Sequence, residues 1–288
     1  DNLHFASLFV LRSKLMDPSV NNNLNLRNTV ALKIINEILT GERDISVMER
    51  ISSDYTQIIH STLKWMFETG SIDDGLSNQY DEVLDIAAIL LTKLYNEQKI
   101  IPTIVDMIFN RNRKDYFIHD LVWAFYESRD PYSLIMIANR LLSSDEKDIQ
   151  LANKLLSFVP AIAKDDNANN QKKYISFLDW IEENSLFLYF TGQSLQQTNK
   201  PMPYAVDLEA KYLCKYISVD TGKTLKPMTE REHGLLDEFR RLNLDTKIFL
   251  SSFSNMMHYR DPAWWDSWIN QSITEQVKIA KSMIGGEQ

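Results

Sequence analysis

Apolar residues in this chain recur at the three- and four-residue spacing of a helix, and that periodicity restricts the fold more than any other feature. Val83, Ala87, Leu90, Leu91 and Leu94 share one helical stripe. The pattern returns in Phe117, Leu121, Val122 and Phe125, then in Leu134, Ile137, Ala138, Leu141 and Leu142. It appears again in Ala152, Leu155, Leu156 and Val159. A half-buried strand would alternate with a period of two instead. Glycine is scarce as well, at 8 of 288 residues, where an ordinary chain has about 7%. Tight turns, bulges and phosphate-cradling loops all draw on glycine. The expectation is an all-α fold of helices joined by short polar turns.

Several helix starts are marked. Asp130-Pro131, Asp17-Pro18 and Asp261-Pro262 each place a capping carboxylate before a proline, which suits the first helical position. Ser144-Asp145-Glu146 offers a cap followed by a first-turn acid. Thr229 with Glu232 has the spacing of a capping box. It opens a helix to about Leu242, and further helices are predicted over 245–257, 262–269 and 272–284. Gly285-Gly286 is a natural stop.

Between residues 100 and 159 four helices follow one another through connections of a few residues. Such short links force antiparallel neighbours, giving two stacked helical hairpins. Openings near Ile101 and Pro131 put the pair period at about 30 residues, in the range of helical repeats. The 130–160 segment resembles a HEAT or armadillo-type (ARM-type) repeat unit. It has the Asp-Pro opening, the doubled Leu141-Leu142 and a second helix from Ile149 to Phe158. The resemblance is generic and extends over residues 25–160. It implies an α-solenoid-like scaffold that binds another protein, although degenerate repeats of this kind also occur in enzymes.

On this reading residues 1–160 form a HEAT-like helical-repeat region. Residues 161–288 form an aromatic-rich helical region packed on the first as one continuous unit. The polar run Asp165-Asp166-Asn167-Ala168-Asn169-Asn170 separates them. A helix or broken pair over 172–191 carries Tyr174, Phe177, Trp180, Phe187, Tyr189 and Phe190. Lys200-Pro201-Met202-Pro203 is not helix interior. A small β-hairpin is predicted at 212–228, with Tyr212 to Val219 as its first strand and Asp220-Thr221-Gly222-Lys223 as its turn.

Charge and cysteine exclude some classes of function. The formal net charge is −8 and the pI about 5.2, which disfavours a phosphate-backbone partner. The strongest basic run, Arg111-Asn112-Arg113-Lys114, reads as cations complementing a helix C-terminus. Cys214 is the sole cysteine, which excludes an internal disulfide and a Cys-rich zinc site. A reducing, cytoplasmic location fits that usage. No apolar run reaches the ~18 residues of a membrane span. The chain opens at Asp1, compatible with trimming or a removed signal peptide, and Asn270-Gln271-Ser272 matches a glycosylation triplet.

Catalytic motifs are weak. Gly222-Lys223-Thr224 lacks the glycine that a P-loop places five positions earlier, where Ile217 stands. No Gly-x-Ser-x-Gly elbow exists, and Cys214 reads as a buried, inert thiol. His119-Asp120, with His60 upstream, resembles the HD-family metal phosphohydrolases, which are also all-helical. That resemblance implies a divalent metal on His60, His119 and Asp120, and is the alternative reading. Asp165-Asp166 and the four-residue spacing of Asp73, Ser77 and Asp81 partly resemble the magnesium motifs of terpene synthases, in reversed order. No cofactor is predicted. Arg260, Trp264, Trp265 and Trp268 stand out instead, with three of the six tryptophans inside five residues. Trp264 and Trp268 share a helical face and Trp265 points about 100° away. These four residues are the candidate protein-contact site, with core packing as the competing role.

Overall fold

The computed structural model describes residues 3–17, 19, 23–40, 53–163 and 169–285. Pro18, the Asp165-Asp166 pair and Gly286 lie outside the described residues. Among those described, fifteen α-helices accompany a single two-stranded sheet, so the fold class is all-α as expected. The chain divides into two compact units. The first comprises Asp1–Ser128, Met136–Leu156 and Gln193–Pro201; the second comprises Arg129–Ile135, Ser157–Gly192 and Met202–Gln288.

In the first unit the helix Asn78–Lys93 packs against Ser53–Gly70 and His119–Tyr126. Ser77 caps it, its Oγ accepting from Tyr80 N at 3.2 Å. The predicted stripe of Val83, Ala87, Leu90 and Leu91 is buried. Leu94 is the C-cap and is more exposed. Phe5 stacks on Tyr80 at 5.3 Å, and the Tyr80 hydroxyl donates to Gly70 O at 2.9 Å. A Cβ at Gly70 would meet Phe5 Cδ1 at 2.7 Å and Leu84 Cδ2 at 2.8 Å, so close approach requires glycine there.

Two sequence expectations fail in detail. Phe117 precedes its helix and is exposed, while Leu121, Val122 and Phe125 are buried as predicted. Asp130 does cap, with Oδ1 accepting from Tyr132 N at 3.0 Å, yet Pro131–Ser133 is a 3-10 turn. Ser133 Oγ donates to Asp130 O at 2.6 Å, a local bond that competes with regular helix. The α-helix is only Leu134–Ala138 and passes into a second 3-10 turn, Asn139–Leu142. Leu141 is therefore buried and Leu142 exposed. The next helix, Glu146–Leu155, starts where the Asp145 cap predicts, its side chain accepting from Lys147 N at 2.8 Å.

The second unit gathers a core of Tyr212, Leu236, Phe239, Leu250, Phe253, Met257, Trp268 and Ile269. Its last helices are Glu230–Arg240, Leu244–Arg260, Pro262–Ile269 and Ile273–Gly285. The Thr229–Glu232 capping box forms, and Asp261 caps the tryptophan helix through Trp264 N at 3.0 Å. The predicted hairpin is much shorter than expected. Tyr212 ends the helix Leu208–Tyr212, and Cys214 turns the chain with φ +53°. What remains is a short pairing around the Gly222 turn: the Ile217–Thr224 bridge, Ser218 N–H donating to Lys223 O at 2.9 Å and Leu225 N–H donating to Tyr216 O at 2.8 Å. The two-stranded sheet instead pairs Leu188–Phe190 antiparallel with Tyr204–Val206. Asp207 explains part of this: its carboxylate caps the amides of Glu209 and Ala210, and the helix it starts closes through Cys214 N–H to Lys211 O and Lys215 N–H to Ala210 O, which takes residues 212–215 out of the expected strand.

Candidate interaction surface

Arg111 closes the helix Ile101–Arg113 and is buried. Its Nε and Nη2 donate to Asp74 Oδ1 at 3.0 and 2.6 Å, and Nη1 donates to Asp85 Oδ2 at 2.9 Å. Nη1 also reaches Phe117 O at 3.4 Å. One guanidinium thereby ties the loop after the Ser71–Asp73 turn, and the loop before His119, to the helix Asn78–Lys93. The planar fork of arginine suits such multiple anchoring. The basic run is thus no simple complement to a helix end. Arg113 likewise grips buried Asp148 through both oxygens, at 2.9 and 3.0 Å. Lys147 pairs with Asp115 at 2.7 Å. Long side chains reach past their own helix, which periodicity does not foresee.

Both loops are further pinned by backbone bonds. Gly75 adopts φ +90° and its N–H donates to Asp81 Oδ1 at 2.8 Å. Leu76 N donates to Asp73 O at 3.1 Å, and Tyr116 N to Arg111 O at 2.9 Å. The loops touch, since a Cβ on Gly75 would lie 3.6 Å from Tyr116 Cε2. Asp73, Ser77 and Asp81 consequently serve as turn residue, helix cap and loop anchor, and not as one helical metal face.

Large apolar side chains nonetheless face solvent on these loops. Ile72 is 78% exposed, Phe117 58%, Tyr116 51% and Leu76 47%. A single exposed apolar residue is ordinary; four on two adjoining, anchored loops make a patch.

Beneath them the charges are tightly coupled. Burial pushes Asp85 up to about 7, with Asp120 and Asp74 adding repulsion against the pull of Arg111. Burial opposes the Arg111 charge, yet Asp74 and Asp85 hold its pKa above the ordinary value. Among the described residues Asp85 Oδ1 has no hydrogen-bond partner. One cation between two carboxylates is balanced when the deeper carboxylate carries a proton, and Asp85 is the deeper one.

The residues of the alternative metal reading lie apart from one another in their contacts. His60 Nε2 is 3.3 Å from Glu97 Oε2, and its ring stacks on Tyr95 at 4.5 Å. His119 rests against the Phe117 ring at 4.7 Å, and Asp120 accepts from Gln196. Among the described residues no group of three His, Cys, Asp or Glu side chains is arranged to hold a metal ion.

The tryptophans turn inward. Trp268 is buried and stacks on Trp264 at 6.2 Å, with Phe253 edge-on at 5.2 Å. Its Nε1 donates to Gln276 O at 3.2 Å. Trp265, on its separate face, donates to Ser254 Oγ at 2.7 Å and packs against His258. Arg260 is exposed at the end of its helix.

A second polar cluster escaped sequence reading. Lys211 is buried, and its ammonium donates to Glu183 Oε1, Asn184 Oδ1 and Ser252 Oγ at 2.6, 2.8 and 3.1 Å. Burial lowers its pKa while Glu183 opposes the shift. Its three protons are all committed. Glu183 and Ser252 also edge an open cleft of about 500 Å³ walled by Ile248, Phe249, Phe253 and Met256. Nothing in the sequence distinguishes Lys211 from a solvated lysine on a short helix. Cys214 is pushed up to about 12 by burial, so its thiol stays protonated.

No helix among the described residues is long and apolar enough to cross a membrane. Comparison with family models, with curated proteins and with solved structures gives no match for the chain.

Proposed function

We propose that this chain is a non-catalytic protein-binding module whose contact face is the loop pair 71–77 and 114–118. The observation that carries the reading is the Arg111 cluster beneath that face. A buried ion cluster adds little stability over apolar packing of the same volume. Its effect here is to hold in place two loops whose apolar side chains point into solvent. Anchors ordered before binding lower the ordering cost of association, and exposed aromatic residues are favoured as binding hot spots. Stacked helical hairpins of the HEAT or armadillo kind over residues 25–160 are the framework we propose for presenting it. The protonated Cys214 and the fully bonded Lys211 also favour a binding role over covalent chemistry.

A photo-crosslinking experiment tests this. The full chain carrying benzoylphenylalanine at position 117 should give a discrete adduct in native lysate, and the same group at exposed position 10 should not. Excess parent chain should suppress the adduct, whereas excess Leu76→Ser/Phe117→Ser chain should not. Equal suppression by both chains sinks the assignment.

A further inference from the structure

We propose that the segment seated on the 71–77 and 114–118 loops is a cationic amphipathic peptide stretch, with lysine or arginine beside apolar anchors; this rests on those loops being the contact face. The charges around the patch come from four elements. Asp73 lies on the turn, Asp81 on the helix behind it, Asp115 on the second loop and Asp120 on the following helix. The cations are fewer. Arg111 is buried against Asp74 and Asp85, Arg113 is committed to Asp148, and Lys147 to Asp115. Asp73, Asp81 and Asp120 then outnumber Lys114; Asp81 and Asp120 keep their charge while accepting from the neutral donors Gly75 N–H and Gln196.

An acidic partner would meet repulsion at this rim, whereas a basic one gains attraction that also steers its approach. Tyr116 and Phe117 add a second, independent preference. Their exposed ring faces attract guanidinium and ammonium groups, and arginine most often. Ile72 and Leu76 supply the apolar contact that a purely charged segment would leave unused.

The test pans a phage-displayed library of random peptides on the full chain, with depletion on Leu76→Ser/Phe117→Ser. The variant's fold is checked by circular dichroism, and Ile72→Ser/Tyr116→Ser is a second depletion target should the first unfold. Clones retained by the parent and lost on the variant should be enriched in Lys and Arg among apolar residues. A synthesised clone should bind about tenfold more weakly to Asp73→Lys, and several-fold more weakly as salt is raised. Parent-selective clones that are acidic or uncharged overturn the cationic partner and leave the contact face standing. Absence of any parent-selective clone overturns the contact face itself, and the cationic partner with it.

Discussion

Arg111 distributes its donors over Asp74, Asp85 and the Phe117 carbonyl, so its loss strands two carboxylates at once. Arg111→Met should cost about 3–5 kcal/mol, read as a lower urea midpoint at pH 7. Adding Asp85→Leu should restore part of that loss, because the deeper of the two stranded carboxyl groups is then gone. Asp85 also carries a pH dependence whose sign is definite. Its folded-state pKa of about 7 stands above the free value of 3.8, so the native state holds a proton that the unfolded chain has lost. The stabilising contribution is therefore complete below about pH 4 and disappears as pH rises through 7. Urea midpoints measured from pH 4 to 8 should fall across that window for the parent, and Asp85→Asn should flatten the decline. Which arginine of the 111–114 run is buried was not legible in the sequence. Arg111 and Arg113 have the same local context, and only the positions of Asp74, Asp85 and Asp148 separate them.

The helix Pro262–Ile269 shows how far local chemistry carries an element. Its start follows from Asp261 and Pro262, and the divergence of Trp265 from Trp264 and Trp268 follows from helical geometry. Whether those rings meet solvent or core did not follow. Phe253 and Tyr212, from two other helices, close around Trp268 and make it a core residue. Trp268→Ala should cost about 3–5 kcal/mol in chemical denaturation. Trp264→Ala should cost distinctly less, since its ring is only half-buried. The fragmented 131–142 stretch and the shortened first strand of the hairpin teach the converse. A few side-chain bonds, from Ser133 and from Asp207, redirect a short segment whose intrinsic preference is weak.

At the scale of the whole molecule, the formal charge of −8 and the pI of about 5.2 keep the chain mutually repulsive near neutrality. Static light scattering should find self-association greatest near pH 5, with recovery above pH 7. Each of the two compact units draws on segments far apart in the chain. The all-α class, most helix limits, the Thr229–Glu232 box and the low β content were determined by the sequence itself, because backbone bonds four residues apart and apolar periodicity are local properties. The Arg111 cluster, the exposed loop pair, the buried Lys211 and the inward tryptophans were decided only by tertiary structure. Periodicity marks which face of a helix is apolar, but a polar side chain's burial depends on which distant segment arrives to cover it and whether that segment brings a partner.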